Sequence, residues 1–128
     1  MDRKKIVIID DNKDYTFTMG VFLEKNGFEV HTANNGEKGM EMIEKEKPDL
    51  VLLDVMMETL FSGFEVGRKI RQHPEMKEIP IIGISGMHNE IKVKFEKETD
   101  EDYFQPDEFF EKPADKDAVL NKINQLIG

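Results

Sequence analysis

Hydrophobic and polar positions along the chain form short unbroken apolar runs, separated by stretches with helical spacing. The clearest run is Leu50-Val51-Leu52-Leu53, which leads straight into Asp54. Such a run suits a strand buried on both faces, as in a parallel sheet covered by helices, where alternation in and out has no purpose. Ile6-Val7-Ile8-Ile9 repeats the pattern and ends in Asp10-Asp11. Between the two runs, Tyr15, Met19, Phe22 and Leu23 fall on one face of an amphipathic helix that Asn26-Gly27 stops. Phe28 to Thr32 alternates weakly as another strand. Asn34-Asn35-Gly36 then reads as a turn and helix start, and this helix runs to about Lys47, with Met40 and Ile43 inward, before Pro48 closes it.

The second half continues the alternation. The loop from Val55 through Met56, Met57 and Glu58 to Gly63 is more apolar than a solvated connector needs, so it is expected to fold over the strand ends. Phe64, Gly67 and Ile70 give a helical stripe ending near His73-Pro74, and Ile79 to Ser85 supplies a fourth strand. Ile91, Val93 and Phe95 alternate as a strand would, yet Ile91 and Phe95 are also four apart as on a helix; a helix is expected. Phe109-Phe110-Glu111-Lys112 is the expected fifth strand, with Lys112-Pro113 at its end. Asp115 can cap a last helix whose apolar face is Val119, Ile123, Leu126 and Ile127. Five strands alternating with five helices predict a doubly wound α/β sandwich: a five-stranded parallel sheet with right-handed crossovers and helices on both faces.

Composition narrows the class. At 128 residues the chain is expected to be one domain, 1–128, with 38% hydrophobic and 35% charged residues. No stretch approaches the roughly 20 apolar residues of a membrane span, and Met1-Asp2-Arg3-Lys4-Lys5 lacks a signal-peptide core, so no membrane insertion and a cytoplasmic location are expected. The absence of cysteine excludes disulfides, a thiol nucleophile and cysteine metal sites. A net charge of −9 argues against direct nucleic-acid binding, which needs clustered Lys and Arg. From Glu96 to Glu111 there are eight acidic residues against one lysine. Such a run is usually a solvated face, but Tyr103, Phe104, Phe109 and Phe110 lie within it, as a partner-binding surface would have them.

Candidate chemistry gathers where the strands end. In open α/β sheets ligands bind outside the carboxyl ends of the strands, which is where Asp10, Asp11, Asp54, Ser85 and Lys112 should emerge. Each has a plain reading taken singly: an Asp after an apolar run can cap a loop, and a serine there can be an ordinary turn hydroxyl. His31 has no second ligand nearby in sequence and reads as a strand residue rather than a metal ligand.

Taken together, the acidic pair after the first strand, an Asp after the third, a Ser after the fourth and Lys-Pro after the fifth resemble the receiver domain of two-component response regulators. The resemblance spans the whole chain and implies the CheY-like, flavodoxin-like (βα)5 fold. It implies that Asp54 is a phosphoacceptor, a carboxylate nucleophile converted to an aspartyl phosphate. It also implies Mg²⁺, held by Asp11 and Asp54, with Asp10 assisting through water and the backbone carbonyl of Met56 completing the set. Lys112 and Ser85 would contact the phosphoryl oxygens, a cis bond before Pro113 would aim Lys112, and Phe109 would move inward on phosphorylation. The adjacent Phe110 is an alternative for that aromatic, since strand register alternates faces. Met56 and Met87, two positions after Asp54 and Ser85, cannot orient a hydrolytic water by hydrogen bonding, so slow self-dephosphorylation is expected.

The implied partners are a sensor histidine kinase or histidine phosphotransfer protein, and a downstream protein reading the fourth helix, fifth strand and fifth helix. This chain departs from the family's usual Met-Pro-x-Met-Asp-Gly loop: Glu58 follows Met57, Gly63 comes one residue late, and Gly86 stands where alanine is usual. The span from Ser85 to Lys112 is also longer than typical. A non-switching interaction module remains an alternative. A turnover enzyme is not expected: a flavin carrier needs a phosphate loop where Asp10-Asp11-Asn12-Lys13 stands, and aspartate-nucleophile phosphatases carry Asp-x-Asp where Asp54-Val55-Met56 stands. No output segment follows the last helix, so the chain reads as a single-domain regulator or a fragment of a longer one.

Overall fold

The structure, a computed structural model, describes residues 3–54, 62–85, 107–111 and 115–128. Strands β1 (Lys5–Ile9), β2 (Glu29–Ala33), β3 (Leu50–Asp54), β4 (Ile81–Ser85) and β5 (Glu108–Glu111) form one sheet in the order β2-β1-β3-β4-β5. Every neighbouring pair is parallel. Helices α1 (Lys13–Lys25), α2 (Gly36–Glu46), α3 (Ser62–Gln72) and α4 (Lys116–Leu126) complete the described elements. The helix expected around Ile91 to Phe95 lies outside the described residues. The sheet is doubly wound, as its apolar runs predict.

Two apolar layers explain why β1 after Lys5, and β3 before Asp54, carry no polar residue. Val7, Ile9, Val51, Leu53 and Ile81 pack on one face with Ile43 of α2 and Val66 and Ile70 of α3. Ile6, Ile8, Leu50, Leu52, Ile82 and Ile84 pack on the other with Met19 and Leu23 of α1 and Val119 and Ile123 of α4. Each side chain fully buried in this way contributes roughly 1.5–3 kcal/mol.

Local chemistry sets the helix ends. Asn12 caps α1 by accepting from Tyr15 N at 3.1 Å, Asn35 caps α2 by accepting from Lys38 N at 2.8 Å, and Asp115 caps α4 by accepting from Asp117 N at 3.1 Å. At the end of α2, Lys47 adopts φ 50°, turning the chain so that Pro48 starts the approach to β3.

Some boundaries differ from the expected ones. Strand β2 begins at Glu29, because Phe28 turns into the α1/α4 layer instead of joining the ladder. Strand β4 begins at Ile81 rather than Ile79: Pro80 has no N–H to donate, although its carbonyl accepts from Val51 N at 3.0 Å. Strand β5 starts at Glu108, one residue earlier than expected. Met40 is only partly buried, whereas Val66 and Met76, which lie off the predicted stripe, belong to the core.

Candidate functional site

Strand order reverses between β2 and β3 around β1, so the crevice at the carboxyl ends of β1 and β3 is the switch point of the sheet. Asp10 follows β1 directly and Asp54 is the last residue of β3; both are buried, at 1% and 5% exposure, while Asp11 is exposed. One carboxylate oxygen from each of the three lies within 4.8 Å of the others. The sequence pattern predicts these residues on one edge, and the fold brings them into one group.

The group is held by its surroundings. Asp10 N donates to Ala33 O at 3.1 Å, tying the end of β1 to the end of β2, and Asp10 Oδ1 accepts from Asn12 N at 2.9 Å. Asn12 thus both caps α1 and fixes the loop that carries Asp11. Tyr15, in the first turn of α1, was legible only as an apolar-face residue. Burial pushes its phenol well above the ordinary range, and the negative charges of Asp10 and Asp54 push it further. The hydroxyl therefore stays protonated beside the acidic group.

Two buried carboxylates at this separation repel by roughly 3–4 kcal/mol at an effective dielectric of about 20. A third carboxylate at the rim adds to the field. A donor set of oxygens alone, with excess negative charge, fits a hard divalent cation that keeps several waters. An anion such as a phosphoryl group could approach Asp54 only once that charge is offset.

The remaining edge positions are partly described. The β3–β4 ladder pairs Asp54 with Ile84, and the β4–β5 ladder pairs Ser85 with Glu111. The backbone of Ser85 therefore ends β4 at the same edge, with Lys112 next in sequence after its partner Glu111. Lys112, Pro113, Met56 and Met87 lie outside the described residues. Phe109 packs against the α2/α3 layer and sits beside Gly83, which brings no side chain next to the ring. Phe110 packs against the opposite layer with α1 and α4. The two aromatics are thus sorted to different faces.

One sequence expectation is corrected. His31 is a strand residue, as read, but it does have possible co-ligands: Glu29 Oε2 at 2.7 Å and Glu46 Oε1 at 3.4 Å from its Nε2. Glu46 is fifteen positions away on α2, so spacing along the chain could not reveal it.

Comparison with known proteins agrees with this geometry. The response regulator receiver domain family matches over residues 6–124. Protein PilH of Pseudomonas aeruginosa is 32% identical over 125 residues, covering 97% of this chain and 98% of PilH. The CAI-1 autoinducer sensor kinase/phosphatase CqsS of Vibrio cholerae is 34% identical over 121 residues, covering 94% of this chain; the aligned part is only 17% of CqsS. A solved response regulator signal receiver domain from Bermanella marisrubri superposes with a TM-score of 0.81 at 28% identity, covering 99% of this chain and 100% of that one.

Proposed function

The chain belongs to the response regulator receiver domain family and is a phosphoacceptor module of two-component signalling, and on that premise we propose that Asp54 is the residue phosphorylated. What supports this assignment is the convergence of Asp10, Asp11 and Asp54 at the sheet's switch point, with Asp54 on a strand buried along its whole length. In this reading a carboxylate oxygen of Asp54 attacks the phosphorus of a phosphohistidine on a sensor kinase or histidine phosphotransfer protein. The P–N bond breaks, its electron pair returns to the imidazole, and an acyl phosphate forms on Asp54.

Asp11 and Asp54 would hold Mg²⁺ directly, Asp10 would assist through water, and the Met56 carbonyl would complete the set. When bound, the ion supplies the positive charge that lets two anions meet. Asp10 contributes by being fixed: its bonds to Ala33 and Asn12 hold the carboxylate in place before the phosphoryl group arrives. Lys112 and Ser85 are assigned to the phosphoryl oxygens, Pro113 to a cis bond aiming Lys112, and Phe109 to the readout. The face formed by β5, the C-terminal helix and the residues between β4 and β5 would present that change to a downstream protein. The chain acts as a signalling module rather than a turnover enzyme. A cytoplasmic location fits a cysteine-free chain in which none of the described helices is long and apolar enough to cross a membrane.

Intact-protein mass after incubation with acetyl phosphate and Mg²⁺ tests the assignment. One phosphoryl adduct is expected on the wild type, with none on Asp54→Ala and none in EDTA. A folded wild type that takes up neither phosphoryl group nor beryllofluoride would leave constitutive docking as the reading.

A further inference from the structure

A second cluster stands apart from the acidic pocket, at the free edge of the sheet. The parallel register sets Glu29 beside Lys5 and His31 beside Val7, so both β2 residues share the face covered by α2. From the last turn of α2, Glu46 reaches the same place. His31 Nε2 lies 2.7 Å from Glu29 Oε2 and 3.4 Å from Glu46 Oε1, and the three ligand atoms all fall within 4.8 Å of one another. Four ligands at zinc-like bond lengths of about 2.0–2.1 Å define a tetrahedron with edges of roughly 3.3–3.4 Å. The His31–Glu46 distance lies close to that edge, whereas His31 and Glu29 are joined by a 2.7 Å hydrogen bond that an ion would replace by drawing the two donors slightly apart.

Three further features favour a cation here. The side chains are partly shielded, at 27%, 38% and 16% exposure for His31, Glu29 and Glu46. Glu29 and His31 sit on a hydrogen-bonded strand, so two of the three donors have fixed backbones. A cation is already drawn in: Lys5 Nζ stands 3.5 Å from Glu46 Oε1 and donates to Glu46 O at 3.3 Å. A flexible lysine stem can swing aside for an ion, because its head remains near water.

We propose that Glu29, His31 and Glu46 form a binding site for a transition ion of the zinc class, chemically distinct from the all-oxygen Asp cluster. An imidazole with two carboxylates suits zinc, copper or nickel, whereas carboxylates, carbonyls and water suit magnesium. The two clusters would therefore sort their cations by donor type. The ion would tie the exposed edge strand to the end of α2 and leave a fourth, solvent-facing position for water.

Calorimetric titration of the full chain with zinc chloride, in excess Mg²⁺ to fill the acidic pocket, tests the site alongside His31→Gln and Glu46→Gln. One zinc per wild-type chain is expected, with affinity falling by more than about tenfold in each variant, since even outer partners of a metal ligand are worth about 10–100-fold. Zinc should also raise the thermal midpoint of the wild type but not of His31→Gln. Circular dichroism establishes that both variants fold. Undiminished binding by His31→Gln, or no stoichiometric binding by the wild type, would overturn the site. Neither result bears on phosphorylation of Asp54, which is read by mass.

Discussion

Single residues in the pocket have consequences that can be measured without a partner. Tyr15 is one of the chain's two tyrosines, and its phenol is held above the ordinary value near 10 by burial and then by Asp10 and Asp54. Because the folded value is raised above the unfolded one, the stability this group contributes is complete below about pH 10 and declines as pH climbs towards the folded value. Spectrophotometric titration should accordingly show one tyrosine ionising late, together with unfolding, and Tyr15→Phe should remove that late phase. Two phenols titrating at ordinary pH in the folded protein would contradict this placement. Met56 and Met87 carry a kinetic expectation. Their apolar side chains cannot align water against an acyl phosphate, so the phosphoprotein should decay slowly, and replacing either with a polar residue should speed decay by up to about 10²-fold. Time-resolved intact mass after removing acetyl phosphate reads both rates.

At the scale of elements, close approach and a cross-link hold the layers in register. Helix α2 lies so near β1 that a Cβ on Gly39 would stand 2.5 Å from Ile9 Cδ1 and 2.9 Å from Ile9 Cγ1. Replacing this glycine with alanine gains about 1 kcal/mol of helix propensity, but overpacking a buried isoleucine costs about 1–3 kcal/mol. Ile9 is fully buried with little room to give, so overpacking wins. Gly39→Ala should lower the urea midpoint by the equivalent of about 1 kcal/mol at unchanged m-value. On the same face of the sheet, Arg71 of α3 donates to Ile79 O at 2.6 Å and to Asp107 Oδ2 at 2.7 Å, while that same carboxylate oxygen accepts from Ile81 N at 2.7 Å. One guanidinium thereby joins the end of α3, the start of β4 and the residue before β5. This charge-assisted group anchors β5 where the chain returns from the acidic stretch.

For the whole molecule, the proposed function requires that a charge added at Asp54 become a change of surface. Phe109 and Phe110 are adjacent, yet they pack on opposite layers, and only Phe109 lies beside Gly83. The chain has no tryptophan, so Phe109→Trp offers a reporter free of background. Beryllofluoride with Mg²⁺ should shift its emission, and adding Asp54→Ala should abolish the shift. An emission spectrum indifferent to beryllofluoride in a chain that takes up phosphoryl groups would remove Phe109 from the readout.

Sequence by itself determined the strands that build the pocket. Ile6 to Ile9 and Leu50 to Leu53 are unbroken because both faces are covered, and this leaves Asp10 and Asp54 nowhere to sit except the strand ends. The caps at Asp115 and the stop at Asn26-Gly27 were legible for the same reason: each acts within a turn of its own position. Tertiary structure alone decided what depends on register between distant segments. It brought Glu46 to His31, turned Tyr15 towards the acidic group, sorted Phe109 from Phe110, and passed Arg71 across to Asp107. Periodicity reports which face of an element is apolar. Which residue of another element lies opposite is set by strand pairing and helix packing, and no local pattern encodes it.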